Sequence, residues 1–250
     1  MNSATVRNLL VRGMLAGLAA GVLALVVAYL LGEPNVDKAI SFEEAHSHEH
    51  EMEVVSRSLQ STAGLATGVL VYGVAFGGIA ALAYCFALGR VGRFTPRVTA
   101  LLLSGCALLA VYVVPFLKYP ANPPSVGEPD TIGKRTALYF LMMLLSVLLA
   151  VAATVVGKRL VSSLGTWWAT VAAVAGFLVV TGLAYEFLPA INEVPKDFPA
   201  TLLWRFRLSA LAIQAVLWGG FGLLFGELAE RQLNPRLATA VSGRTAPASN

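Results

Sequence analysis

Six stretches of the chain run without a single Asp, Glu, Lys, Arg or His: Gly13–Gly32, Ser58–Gly89, Val98–Leu117, Thr136–Gly157, Leu160–Tyr185 and Leu208–Gly226. They hold 20, 32, 20, 22, 26 and 19 residues. A helix crossing a bilayer needs about 20 mostly apolar residues. The pattern predicts an all-α, polytopic integral membrane protein, with about six transmembrane helices in a bundle. Helices are expected near residues 9–31, 61–88, 98–117, 136–157, 162–185 and 208–226, in a single transmembrane domain over 1–233. Residues 234–250 are expected to be a disordered cytoplasmic tail. The first run follows Arg7 and Arg12, as the core of a signal peptide would. It is too long for one and has no convincing small-x-small cleavage site after it, so it is read as a retained helix.

Small residues recur within these runs at a spacing of four. Gly13, Gly17 and Gly21 form a GxxxGxxxG face; Gly64/Gly68, Gly73/Gly77 and Gly222/Gly226 repeat it. In lipid such faces let helix backbones approach closely. They predict packed helices and say nothing about transport.

Composition agrees with this reading. Hydrophobic residues make up 57 % and charged residues 13 %, against about 45–50 % and about 25 % in soluble domains. Mean hydropathy is +0.72. Two cysteines in 250 residues exclude a disulfide scaffold. The net charge of +4 gives no nucleic-acid signal in such a chain, and no nucleic-acid partner is expected.

The distribution of charge gives an orientation. Six helices put both termini on one side. Segments 90–97 and 158–159 carry Arg90, Arg93, Arg97, Lys158 and Arg159 and no acid. Short basic loops stay in the cytoplasm, so both termini are expected there. The long segments, roughly 33–57, 118–135 and 186–207, then face outward with twelve acids against eight bases. The last two share a pattern: Phe-Leu, a spacer, then Pro-x-Thr-Ile/Leu-x-x-Arg, at Phe116-Leu117 with Pro129–Arg135 and at Phe187-Leu188 with Pro199–Arg205. Hairpin repeats are one reading of it; chance similarity of two Pro-rich loops is the other. Pro120, Pro123, Pro124 and Pro129, with Pro189, Pro195 and Pro199, stiffen both loops.

One cluster carries chemistry. All three histidines, His46, His48 and His50, fall in the stretch Glu43-Glu44-Ala45-His46-Ser47-His48-Glu49-His50-Glu51. In an extended segment the three imidazoles share a face; in a helix His46 and His50 do. With Glu43, Glu44 and Glu51 they form a candidate metal site of imidazole and carboxylate. This donor set suits cobalt, nickel or zinc, and the loop chemistry does not select cobalt. A solvated, pH-sensitive loop is the competing reading. Cys85, Cys106, Met142 and Met143 lie within helices and are read as packing. Thr67, Ser104, Ser146, Thr154, Thr181 and Gln214 are read first as helix–helix hydrogen bonders. There is no GxxxxGK[S/T], HExxH or GxSxG motif. No enzyme activity and no covalently bound cofactor is expected.

Several stretches together resemble the CbtA family of bacterial cobalt transporter subunits: GEPNVDKAISFEEAHSHEHE; VSRSLQSTAGLATGVLVYGVAFGG; VPFLKYPANPPSVGEPDTIGKRTALYFLM; and LPAINEVPKDFPATLLWRFRLSALAIQ, running on to LLFGELAERQL. The resemblance covers roughly residues 7–233. It implies a multi-pass protein of the bacterial plasma membrane that carries cobalt(II) for cobalamin synthesis. It also implies a small single-span, histidine-bearing partner, CbtB, and assigns the family's His-rich outer loop to His46, His48 and His50.

The expected mechanism has three steps. The acidic outer face concentrates cations. The histidine loop captures the ion. The ion then enters near the Pro-rich loops, past oxygens of Asn122, Glu128, Asp130, Glu186, Asn192 and Glu193. The alternative is a non-transporting membrane metal sensor or partner-organising protein.

Overall fold

The computed structural model describes residues 1–46 and 55–234; His48, His50 and Glu51 of the candidate metal site, and residues 235–250 of the expected tail, lie outside them. The described residues are all-α, without strands. Five helices are long and apolar enough to cross a membrane: α1 (Ser3–His46), α2 (Arg57–Ala87), α3 (Pro96–Lys118), α4 (Pro129–Phe187) and α5 (Ala200–Leu233).

The fourth accounts for two of the six apolar runs. It breaks at Gly165, where φ is 72° and ψ is 167°, a conformation that costs glycine little and other residues much. The chain folds back there: a Cβ placed on Gly157 would lie 3.0 Å from the Cβ of Ala173. Two limbs result, residues 132–164 and 166–187, each long enough to span. The turn therefore falls at Gly165, and Lys158 and Arg159 lie on the first limb rather than in a loop. At the other boundary that charge had marked, Glu33–His46 continues α1 as helix instead of forming loop.

Three of these helices contain a wider, π-type turn: Ala28–Gly32 in α1, Gln60–Gly64 in α2 and Leu108–Val113 in α3. Such turns are rare and leave carbonyls without their usual helical donor. Side chains fill the vacancy. The Leu31 carbonyl accepts from Asn35 Nδ2 at 2.7 Å and from Ser209 Oγ at 2.9 Å. The Ala110 carbonyl accepts from Ser146 Oγ, and Ser146 is fully buried.

The chain divides into two compact units. The first comprises Met1–Val26, Val55–Gly105 and Ala215–Asn250. Its centre is a crossing of α1 and α2 through their glycine faces. A Cβ on Gly73 would come within 2.7 Å of the Gly17 carbonyl oxygen, and one on Gly13 within 2.6 Å of that of Gly77. Beside it Phe76 packs edge-on against Trp218 and Phe221, with centroids 4.4 and 5.1 Å apart, and Tyr84 packs against Phe225. Glu230, 4 % exposed, accepts from the Arg97 N–H at the start of α3, and Arg97 pairs with Glu227 at 2.7 Å. A carboxylate at a helix N-terminus satisfies a free N–H and opposes the helix dipole.

The second unit comprises Val27–Val54 and Cys106–Gln214. It has two small cores. Ala39, Val126, Phe198 and Leu202 form one; Val114, Tyr119 and Met142 form the other, with Phe177, Tyr185 and Leu188 packed on it.

Many large apolar side chains point away from either core: Ile79 is 69 % exposed, Phe86 71 % and Leu178 62 %. Soluble proteins rarely leave so much apolar surface open to water. On helices of this length the lipid is the solvent it suits.

Candidate functional site

The histidine segment begins as the end of α1. His46 is exposed, its ring stacks on Phe42 at 4.1 Å, and its Nδ1 lies 2.8 Å from the Phe42 carbonyl oxygen. A carbonyl only accepts, so Nδ1 carries the hydrogen, and in the neutral ring Nε2 keeps the lone pair. Metal-bound histidines are oriented in this way, one nitrogen donating to an acceptor while the other holds the ion. Glu43 is exposed one turn back on the same face, and Glu44 is exposed beside it. Among the described residues no group of three or more His, Cys, Asp or Glu is placed to hold a metal. The other members of the predicted set, His48, His50 and Glu51, lie outside those residues.

The second candidate region is built from the Pro-rich segments 119–131 and 188–199. The end of α3 is tied to the end of α4: Lys118 Nζ donates to the Tyr185 carbonyl, Tyr119 Oη donates to the Pro189 carbonyl at 2.9 Å, and Tyr185 Oη donates to the Val114 carbonyl. Glu193 then joins the two segments. Its Oε2 accepts from the Glu128 N–H at 2.9 Å and from Thr131 Oγ1 at 2.8 Å, and lies 3.4 Å from Arg135 Nε. The two hydrogen bonds, with Arg135 adding its charge, hold the Glu193 carboxyl below the usual carboxylate range.

Both Pro-x-Thr motifs open helices. Pro129–Thr131 forms a short 3₁₀ turn leading into α4, and Pro199 accepts from the Leu202 and Leu203 N–H groups as α5 begins. Their arginines do different things. Arg135 turns back over the loop: Gly127, at φ 121°, leaves room where a Cβ would sit 2.6 Å from its Cζ, and Nη2 donates to the Glu128 carbonyl at 3.3 Å. Arg205 is exposed. Two residues on, Arg207 takes the inward place, with Nη2 donating to Asn122 Oδ1 at 3.0 Å and Nε to the Ala121 carbonyl at 3.3 Å.

Between these segments lies a cavity of about 720 Å³, lined by Arg135, Arg207, Glu193, Asn122, Asn192 and a wall of Tyr, Phe and Pro side chains. The sequence suggested that oxygens here receive a cation. Asn122 Oδ1 and Glu193 Oε2 instead already accept from arginine or from the loop itself. Glu128, Asp130 and Glu186 are exposed and do not line the cavity. Arg207 escaped attention because the shared motif pointed to Arg205, whereas Arg207 differs only by its position next to an apolar run. Glu230 gives no sequence signal of burial either, because it lies just beyond the charge-free run that ends at Gly226.

Residues 6–230 match the family model CbtA, described as a probable cobalt transporter subunit. No curated protein and no solved structure matches the chain.

Proposed function

The chain belongs to the CbtA family of probable cobalt transporter subunits, and on that premise we propose that it takes cobalt(II) into the cell across the bacterial cytoplasmic membrane. The observation that carries this reading is the family match from residue 6 to residue 230, on a chain with five helices able to cross a membrane. Nickel and zinc suit the same donors and are the expected competitors. The chain works as a single transmembrane domain over 1–233, without enzymatic activity and alongside a small single-span, histidine-bearing subunit like CbtB.

Capture is assigned to His46, His48 and His50, with Glu43, Glu44 and Glu51 supplying negative charge. What supports it is the free Nε2 of His46 and the exposed carboxylates beside it. The ion's route is not assigned to the cavity of the Pro-rich segments, whose arginines repel it. Radiolabelled cobalt uptake tests the proposal, in cells expressing the chain with and without the small subunit. Accumulation above cells lacking the chain is expected. Cobalt binding without accumulation, partner present, would replace transport with metal sensing.

Both termini are placed in the cytoplasm, because segment 90–97 is basic and the turn at Gly165 follows Lys158 and Arg159. With Cys85 and Cys106 replaced, a cysteine introduced by Ser47→Cys should react with an impermeant thiol reagent in intact cells. Reaction only after lysis would reverse the orientation.

A further inference from the structure

The cavity in the second unit has the wrong charge for the cargo. At about 720 Å³ it has the size of a small-molecule site, which ranges over ~300–1,000 Å³. Its wall holds two guanidinium groups and one carboxylate. That carboxylate, Glu193, is committed to Arg135 and to the loop donors. Arg207 is different. It is half-buried, and its acceptors are the neutral Asn122 Oδ1 and the Ala121 carbonyl. Among the described residues no carboxylate pairs with it. A guanidinium drawn partly out of water without a counter-charge is unfavourable, and its planar fork matches a carboxylate or phosphate better than an amide. Beside it Tyr112, Phe116 and Tyr139 offer ring faces and edges for an apolar body.

We propose that this cavity binds an organic anion, whose carboxylate or phosphate pairs with Arg207 while its apolar portion packs on the aromatic wall. The proposal does not depend on the identity of the transported ion. Two sources supply this chemistry, a free organic acid or phosphate and the headgroup of an anionic lipid.

The test uses the full chain and reads the reaction of individual arginines with phenylglyoxal by mass spectrometry. One arm adds benzoate or inorganic phosphate to protein in neutral detergent. The other compares phosphatidylglycerol with phosphatidylcholine nanodiscs. In at least one arm the anion should slow modification of Arg207 about tenfold while leaving the exposed Arg205 unchanged. Protection by benzoate or phosphate identifies a soluble anion; protection by phosphatidylglycerol alone identifies a lipid. Arg207→Gln should weaken benzoate or lipid binding by about tenfold, corresponding to ~1.4 kcal/mol, with Arg207→Lys in between and Arg205→Gln without effect. No protection in either arm, or equal protection of Arg205 and Arg207, overturns the proposal, and so does undiminished binding by a folded Arg207→Gln. The protection experiment needs no variant, so it decides the matter even where that substitution prevents folding.

Discussion

Gly77→Leu is expected to leave almost no folded protein. In the α1–α2 crossing a Cβ on Gly77 would lie 2.9 Å from the Gly17 Cα and closer still to the Gly13 carbonyl. Those are backbone atoms, and no rotamer change removes them. Forcing extra carbons into a packed interior costs about 1–3 kcal/mol when side chains can yield. Here whole helices would have to separate, so the loss should exceed that range and disturb the aromatic packing of Phe76 with Trp218 and Phe221 beside the crossing as well. Gly68→Leu is the control, because nothing lies within 4 Å of its Cβ position on the same helix. Thermal unfolding and monodispersity in detergent should show the control near the parent and Gly77→Leu aggregated. Similar behaviour of the two would mean that the helices do not depend on this approach.

That crossing was readable because glycine at four-residue spacing within apolar runs lets helix backbones approach, but the same spacing at Gly64/Gly68 marks no such approach, since nothing lies within 4 Å of a Cβ on Gly68. The all-α, membrane-spanning class was readable from composition, while the six apolar runs fall on five long helices, two of them on α4. What could not be read was where helices end, since charge was made to stand for boundary. Glu33 interrupts hydropathy without interrupting hydrogen bonding, and α1 runs on through it to His46. Lys158 and Arg159 end a hydrophobic run but not a helix, because what turns the chain is the positive φ of Gly165, inside the next apolar run. The wider turns had no sequence signal either, as their carbonyls take donors such as Ser209 and Ser146 that are met only in the folded unit.

Replacing His46, His48 and His50 together with alanine should lower cobalt uptake about tenfold at limiting cobalt and much less at saturation. An outer binding segment raises the local concentration of the ion, and its loss is made good by excess. Changes that disturb metal-ligand sets typically cost ~10–100-fold in affinity or activity. The fold should survive, since His46 is exposed and makes its one hydrogen bond within its own helix. Imidazole binds metal only when neutral. Acidification should therefore weaken uptake of the parent at limiting cobalt, and the triple variant should lose this pH dependence. Uptake by the triple variant equal to the parent's at limiting cobalt and equal expression would remove the segment from the mechanism.

Three histidines in five residues are conspicuous in any sequence, but only His46 lies among the described residues, where its Nδ1 is 2.8 Å from the Phe42 carbonyl oxygen. The acidic and amide residues of the Pro-rich segments misled, because residue type shows that an oxygen is present and not what already donates to it. Asn122 and Glu193 are both spoken for, by residues 85 positions away in one case and by 62 and 65 in the other.

The wide turn at Ala28–Gly32 amounts, in counting terms, to one residue more than a regular helix would use. A regular helix advances about 100° per residue. Deleting a residue from that turn would restore ordinary winding and rotate everything downstream by roughly that angle. Asn35 would swing away from Ser209, Ala39 would leave the cluster with Val126, Phe198 and Leu202, and His46 would leave a different side of the helix. The extra residue thus sets the azimuth of the whole segment from Glu33 to His46, and a length change of one there is a change of direction for every side chain beyond it.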